Sequence, residues 1–261
     1  MISATEYIAN LAAEGRYTFT TDEVVAALGG SVPAVRAQVR RLKKRGLIAD
    51  PHRGFHVIVP PEYKRLGCLP AEQFVPQLMD HLGEIYYTAL LSAAELHGAA
   101  HQRPQGFQVM IARNRRPLVC GQVRVQFIAR ADLARTPIVE KNTPRGRLRL
   151  SSPEATALEL VGYAEHCGGL DNVVSVLAEL VDALDRDKLV EAARLGPIAW
   201  AQRLGYLLDF AGRSDIAEAL APYVKEHAVV PAPLIRKRSS TGAPRIARWK
   251  LVANATLEAD R

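Results

Sequence analysis

The sequence is short of cysteine, of aromatic residues and of long apolar runs, and each shortage excludes something. Only 3 of the 261 residues are cysteine, Cys68, Cys120 and Cys167, an odd number at wide spacing. That excludes a disulfide framework and leaves no pair with metal-ligand spacing. Small buried thiols in a reducing cytoplasm are expected instead. Aromatics make up 6% of the chain, and its 2 tryptophans, Trp200 and Trp249, read as core anchors. No apolar run approaches the about 18 residues of a membrane span. The opening MISATEYIANLAAEG has neither a basic start nor an apolar h-region, so no secretory signal and no membrane partner are expected.

Signatures of catalysis are missing too. There is no G-x-x-x-x-G-K-[ST], no G-x-G-x-x-G, no H-E-x-x-H and no C-x-x-C. No catalytic residue, no metal and no cofactor is therefore expected. His97 and His101 are four apart, but Gly98 separates them, so a helix-end cap is the expected role of such a histidine. Asp182, Asp185 and Asp187 read as a solvated helix end and a following cap.

Charge of both signs is plentiful, but it is segregated. Residues 1–65 carry 10 Lys/Arg against 6 Asp/Glu, and residues 66–101 carry none against 4. Residues 102–150 carry 11 against 2, residues 151–235 carry 6 against 13, and residues 236–261 carry 7 against 2. Basic blocks alternating with acidic ones point to a nucleic-acid surface or to an acidic partner.

The first basic block has internal order. Ser31-Val-Pro-Ala-Val-Arg-Ala-Gln-Val-Arg-Arg-Leu-Lys-Lys-Arg45 reads as one helix, with Ser31 as N-cap, Pro33 in the first turn and Gly46 as the stop. Val35, Val39 and Leu42 form a narrow apolar stripe, while Arg36, Arg40, Lys43 and Lys44 lie off it. Thr20 and Glu23 make a capping box for a preceding helix, Thr21 to Leu28, and Gly29-Gly30 makes the turn between the two. Ala4 to Glu14 supplies a first helix with Tyr7, Ile8 and Leu11 on one face. After Gly46 come a short strand, a turn with a basic tip at His52-Arg53, and a second strand, Phe55 to Val59. Helix, glycine turn, basic helix and hairpin together spell a winged helix-turn-helix. A solvated basic face would explain the third helix alone, but not this order of elements.

Arg36, Gln38, Arg40 and Arg41 are expected at base edges, where a bidentate pair discriminates by about 1–3 kcal/mol. Lys43, Lys44 and Lys64 are expected on phosphates, His52 and Arg53 on the backbone or in the minor groove, and Ser31 at the start of the same surface. Double-stranded promoter DNA with inverted repeats is the partner implied.

Pro60-Pro61 and the stretch to Pro70 end this domain, taken as residues 1–65. The remainder, 71–261, is expected to be a second domain of mixed architecture, so the fold class is α+β. Within it, Ile85 to His97 reads as a central helix. A small basic sheet is expected at about 105–150, a helical part at about 152–225 and a basic tail at 231–261. Arg113, Arg115, Arg116, Arg145, Arg147 and Arg149, on loops and one face of that sheet, are candidates for further phosphate or toxin contacts. Ser152 and Pro153 start a helix by capping and by N1 preference, and Asp171 is expected to cap the next.

Four segments of this second part, YYTALLSAAELHG (86–98), LRLSSPEATALELVGYAEHCGGLDNV (148–173), QRLGYLLDFAG (202–212) and RWKLVAN (248–254), resemble the AbiEi-family antitoxins. The resemblance spans nearly the whole chain. It implies a bacterial type IV toxin–antitoxin system involved in phage defence. It also implies an N-terminal domain repressing its own operon and a C-terminal domain countering a nucleotidyltransferase-like toxin. Neutralisation by direct contact, by modification of the toxin and by an indirect route are all compatible with it. Two further readings stand beside it: a ligand-responsive regulator, and a second domain with toxin-modifying activity.

Overall fold

The computed structural model of the chain describes residues 2–99 and 104–257. It is α+β, and its described residues divide into two compact units. The first takes residues 2–87, 105–133 and 140–149; the second takes 88–99, 104, 134–139 and 150–257. Pro70, expected as a boundary, falls inside the first unit, because the basic strands that follow it cluster with residues 1–65.

The first unit begins with α1 (Ala4–Ala13), β1 (Thr18–Thr20), α2 (Thr21–Leu28), α3 (Val32–Lys44), β2 (Ile48–His52) and β3 (Phe55–Ile58). Local chemistry accounts for each helix. Ser3 and Glu6 form a reciprocal capping box on α1, and Thr20 and Glu23 form another on α2. Ser31 Oγ accepts the Ala34 N–H at 3.4 Å to start α3. Gly29 and Gly30 both have positive φ, 65° and 82°, which glycine adopts without steric cost and which turns α2 into α3.

The apolar stripes then meet. Tyr7, Ile8, Leu11, Val24, Leu28, Val35, Val39 and Leu42 close one core with Phe19, Ile48 and Ile58. Each such burial contributes about 1.5–3 kcal/mol relative to exposure. The hairpin gains a third strand, giving the order β1-β3-β2. β1 was not anticipated, although Tyr17-Thr-Phe-Thr20 alternates as a strand should.

The unit continues through α4 (Val75–Leu82), β4 (Tyr86–Thr88), β5 (Phe107–Ile111), β6 (Leu118–Cys120), β7 (Val123–Ala129), β8 (Ile138–Thr143) and β9 (Gly146–Ser151). These strands form one sheet of order β6-β7-β5-β4-β9-β8, and the chain passes between the two units within β4, ahead of β5, ahead of β8, within β8 and within β9. The stretch expected as one helix from Ile85 to His97 is instead a buried strand, Tyr86–Thr88, followed by a short helix. A continuous apolar run fits a buried strand and a buried helix equally, and pairing of Thr88 with Leu150 decides for the strand. Cys68 and Cys120, far apart in sequence, share a hydrogen bond inside this unit, and it is the largest influence pushing the Cys68 thiol upward.

The second unit contains α5 (Leu90–Leu96), α6 (Pro153–Gly162), α7 (Leu170–Leu180), α8 (Arg186–Arg194), α9 (Ile198–Phe210), α10 (Ser214–His227), β10 (Ala232–Pro233), β11 (Arg245–Ile246) and β12 (Leu251–Val252). Its centre is α6, whose residues from Glu154 to Val161 are all buried and which packs on α5, α7, α8 and α9. A helix buried on every side belongs in a core, and α6 takes Glu154, Thr156 and Glu159 inside with its apolar residues.

The resemblance segments prove to be structural partners of one another. Gly205 in α9 lies against the Trp249 ring, which is fully buried and donates Nε1–H to Asp209 Oδ2 at 2.7 Å. Gln202 donates Nε2–H to the carbonyls of Val230 and Lys250, at 3.2 and 2.6 Å. Trp200 is only half-buried, edge-on to Tyr163. Ser152 caps α6 as expected, but the N-cap position of α7 is Gly169, and Asp171 lies in the helix's first turn.

His97 is bound through Nε2 to the Ser151 carbonyl at 2.8 Å, while His101 lies outside the described residues. Asp185 caps α8 and Asp182 pairs with Arg213 at 2.9 Å, so each is engaged structurally. Among the described residues no group of three His, Cys, Asp or Glu could hold a metal, and no helix is long and apolar enough to cross a membrane.

Candidate nucleic-acid interface

The third helix presents two different faces. Val35, Val39 and Leu42 are 1%, 7% and 2% exposed, whereas Arg36, Arg40, Arg41, Lys43 and Lys44 all stand in solvent. Gln38 is half-buried on the flank, and Ser31 is exposed at the N-terminus. Arg36 and Arg40 line a concavity of about 800 Å³ together with Arg53 of the hairpin tip. Asp22, Asp50 and His81 also line it, so the groove is basic on one wall and mixed on the other.

The hairpin is fastened to α3 by a chain of polar contacts. Lys43 Nζ lies 2.8 Å from Asp50 Oδ2, Asp50 Oδ1 lies 2.7 Å from His56 Nδ1, and His56 Nε2 lies 2.9 Å from Thr21 Oγ1. This links the third helix, both hairpin strands and the start of α2. Burial pushes the Asp50 carboxyl upward, but the hydrogen bonds and charges of His56 and Lys43 outweigh it and hold the group below its ordinary value. The hairpin also leans on α4, where the His81 ring lies 5.4 Å from Phe55 and 6.0 Å from His52. His52 is accordingly half-buried, and Arg53 is the exposed basic residue at the tip. Lys64, after the hairpin, is exposed.

Asp50 and His56 did not figure among the predicted site residues. Their meeting across the hairpin depends on a register irregularity between Ala49 and His52, which extends β2 through the stretch expected to be a turn. Only the alternation Phe55-His56-Val57 hinted that His56 had a specific partner.

The six arginines of the second basic block divide. Arg113 and Arg116 are exposed on the loop between β5 and β6. Arg115 reaches Glu84 at 3.3 Å, and Arg147 reaches Glu140 at 3.1 Å, the latter pair largely in solvent. Arg149 is half-buried, and its backbone hydrogen bond partly offsets the burial that pushes the Tyr86 hydroxyl up to about 12.

Arg145 is of another kind. Its guanidinium carbon lies 3.4 Å from the centre of the Tyr17 ring, Nε donates to Gln73 Oε1 at 2.7 Å, and Nη2 is 3.9 Å from Glu62. With 12% of its side chain exposed, it is a fastener within the first unit, and the expected phosphate or toxin contact does not suit it.

Fold and surface define a winged-helix unit joined to a second, mostly helical unit. Residues 87–210 match the family described as AbiEi antitoxin C-terminal domain, which supports an AbiEi-type antitoxin domain in this part of the chain. The match runs from β4 to the end of α9 and leaves the winged helix outside it. Among solved structures, the RV2827C protein from Mycobacterium tuberculosis is similar at 21% identity and a TM-score of 0.67, over 95% of this chain and 90% of that one. Identity that low establishes a shared fold. No curated protein matches the sequence.

Proposed function

We propose that this protein is the antitoxin of a type IV toxin–antitoxin system and represses its own operon by binding inverted repeats in promoter DNA. The family domain supports the antitoxin role and a toxin as partner. The observation that carries the DNA-reading half is the division of α3, whose apolar stripe is buried while Arg36, Arg40, Arg41 and Lys44 remain in solvent. In this reading Arg36, Gln38, Arg40 and Arg41 meet base edges in the major groove. Lys44, Lys64 and Arg53 hold phosphates, Lys43 divides its charge between Asp50 and the backbone, and Ser31 and His52 border the same surface. Arg113 and Arg116 lengthen the footprint, and Arg147 and Arg149 face a phosphate or the toxin. The toxin is of the nucleotidyltransferase-like class, the protein acts in the cytoplasm, and the antitoxin domain works without catalysis of its own.

The test pairs two assays on the full chain, since a cut near Pro70 would sever the first unit. Arg36→Ala with Arg40→Ala is expected to abolish specific retention of the promoter duplex while leaving rescue from the co-expressed toxin intact. Retention with unchanged sequence preference would remove α3 as the reader. Loss of rescue by wild-type protein would remove the antitoxin role.

A further inference from the structure

The second unit contains a pocket that plays no part in the reading above. It measures about 580 Å³, within the usual range for small-molecule sites, and is lined by residues of α6, α7, α9 and the segment after β10, with Ala164 and Glu165 from the turn between α6 and α7. We propose that this pocket binds a free phosphate monoester of nucleotide size, with Arg203 as the phosphate-binding residue.

Arg203 lies on α9 and is 4% exposed. Its Nε–H donates to the Pro233 carbonyl at 2.9 Å, which fixes the plane of the guanidinium. Among the described residues no carboxylate pairs with it, and Nη1 and Nη2 have no hydrogen-bond acceptor. A buried cation with no counter-ion is costly to keep, and it gains most from an anion that arrives from outside. A neighbouring guanidinium makes the deficit worse. After burial itself, Arg236 is the influence that pulls Arg203 below the ordinary arginine range.

Arg236 and Lys237 stand at the exposed mouth of the pocket. Lys237 is 3.3 Å from Glu165, but both side chains are largely in water, where such a pair holds its partner weakly. Leu170 and Leu234 supply apolar wall.

These features select the ligand. A guanidinium with both Nη groups unspent matches two oxygens of one phosphate. Arg203, Arg236 and Lys237 outweigh the one carboxylate of the lining, Glu165, and that net positive charge favours a dianion over a monocarboxylate. The apolar walls and the volume leave room for the body that carries the phosphate. Arg203 is recessed, so a terminal phosphate can reach it and a phosphodiester inside a duplex cannot.

The experiment is calorimetric titration of the full chain with adenosine 5′-monophosphate and with inorganic phosphate, at constant ionic strength in chloride. Saturable one-site binding of both is expected, the nucleotide being tighter. Arg236→Gln, at an exposed position, should weaken it by about tenfold, and Arg203→Lys should weaken it further by removing the two-pronged geometry. If Arg203→Lys unfolds, Arg236→Gln decides alone. Absence of saturable binding, or native affinity in Arg236→Gln, would overturn the proposal. Displacement of bound nucleotide by nonspecific duplex at equal phosphate concentration would overturn the assignment to a free ester.

Discussion

The Asp50 carboxylate lies 2.7 Å from Nδ1 of His56, a side chain only 6% exposed, and thereby joins the hairpin to the helix start at Thr21. Removing the carboxylate leaves a buried imidazole nitrogen unpaired and frees Lys43. Asp50→Ala is therefore expected to destabilise the first unit by about 1–3 kcal/mol, read by urea unfolding at neutral pH.

The same contact predicts a pH dependence. Asp50 is held below its ordinary value of 3.8 in the folded protein. A depressed carboxyl contributes stability that is fully present above the unfolded value and is lost as pH falls through the folded one. The stability difference between wild type and Asp50→Asn should thus be largest near neutrality and should shrink below about pH 4. A difference unchanged at pH 3 would show that His56 and Lys43 do not stabilise the ionised form.

Two arginines of one hairpin turn should behave oppositely. Arg145 is shared among Tyr17, Gln73 and Glu62, whereas Arg147 is 74% exposed beside Glu140. Arg145→Ala is expected to lower stability by about 1–3 kcal/mol, and Arg147→Ala to change it by less than about 0.5 kcal/mol. Thermal unfolding of both variants distinguishes a fastener from a surface charge.

On the reading helix, Arg40→Ala and Lys43→Ala should differ in kind. Arg40 lines the groove and is expected at a base, so its loss should relax sequence preference and cost about 1–3 kcal/mol of specific affinity. Lys43 is already engaged by Asp50, so its loss should weaken specific and nonspecific duplexes alike. Its effect on the log–log salt slope should fall short of the about 0.9 expected for a whole phosphate contact. Binding isotherms across a salt series separate the two.

Gly205→Ala tests the core of the antitoxin domain. An added Cβ would clash with Cζ3 of the Trp249 ring, which is fully buried and tied to Asp209. Alanine gains about 1 kcal/mol of helix propensity over glycine, but overpacking of about 1–3 kcal/mol opposes it, so a net loss of stability is expected. Gly162→Ala meets the Trp200 ring in the same way, yet Trp200 is half-buried where Trp249 is fully buried, so its cost should be smaller.

The three helices of the winged unit, the caps of the second and third, and the outward basic face of α3 were legible in the sequence. Each depends on residues within four positions of one another: Ser31 with Ala34, Thr20 with Glu23, Val35 with Val39, and Val39 with Leu42. Helical spacing and end-capping are short-range effects, and a linear text records them. The segments that carry the family resemblance are ones that pack together, Gly205 and Asp209 against Trp249.

What the tertiary structure alone decided is whatever needs two distant stretches to meet. Tyr86–Thr88 is a strand because β9 is there to pair with it, although its apolar run would serve a helix equally. Arg145 looked like its arginine neighbours until Tyr17, Gln73 and Glu62 closed around it. Asp50 found His56 across a hairpin whose register no local rule fixes. Arg203 sits in a motif that reads as a simple core helix, and only burial without a counter-ion sets it apart. Charge is written in the sequence, but its solvation is a property of the packed chain, and solvation determines whether a cation fastens the fold or waits for a ligand.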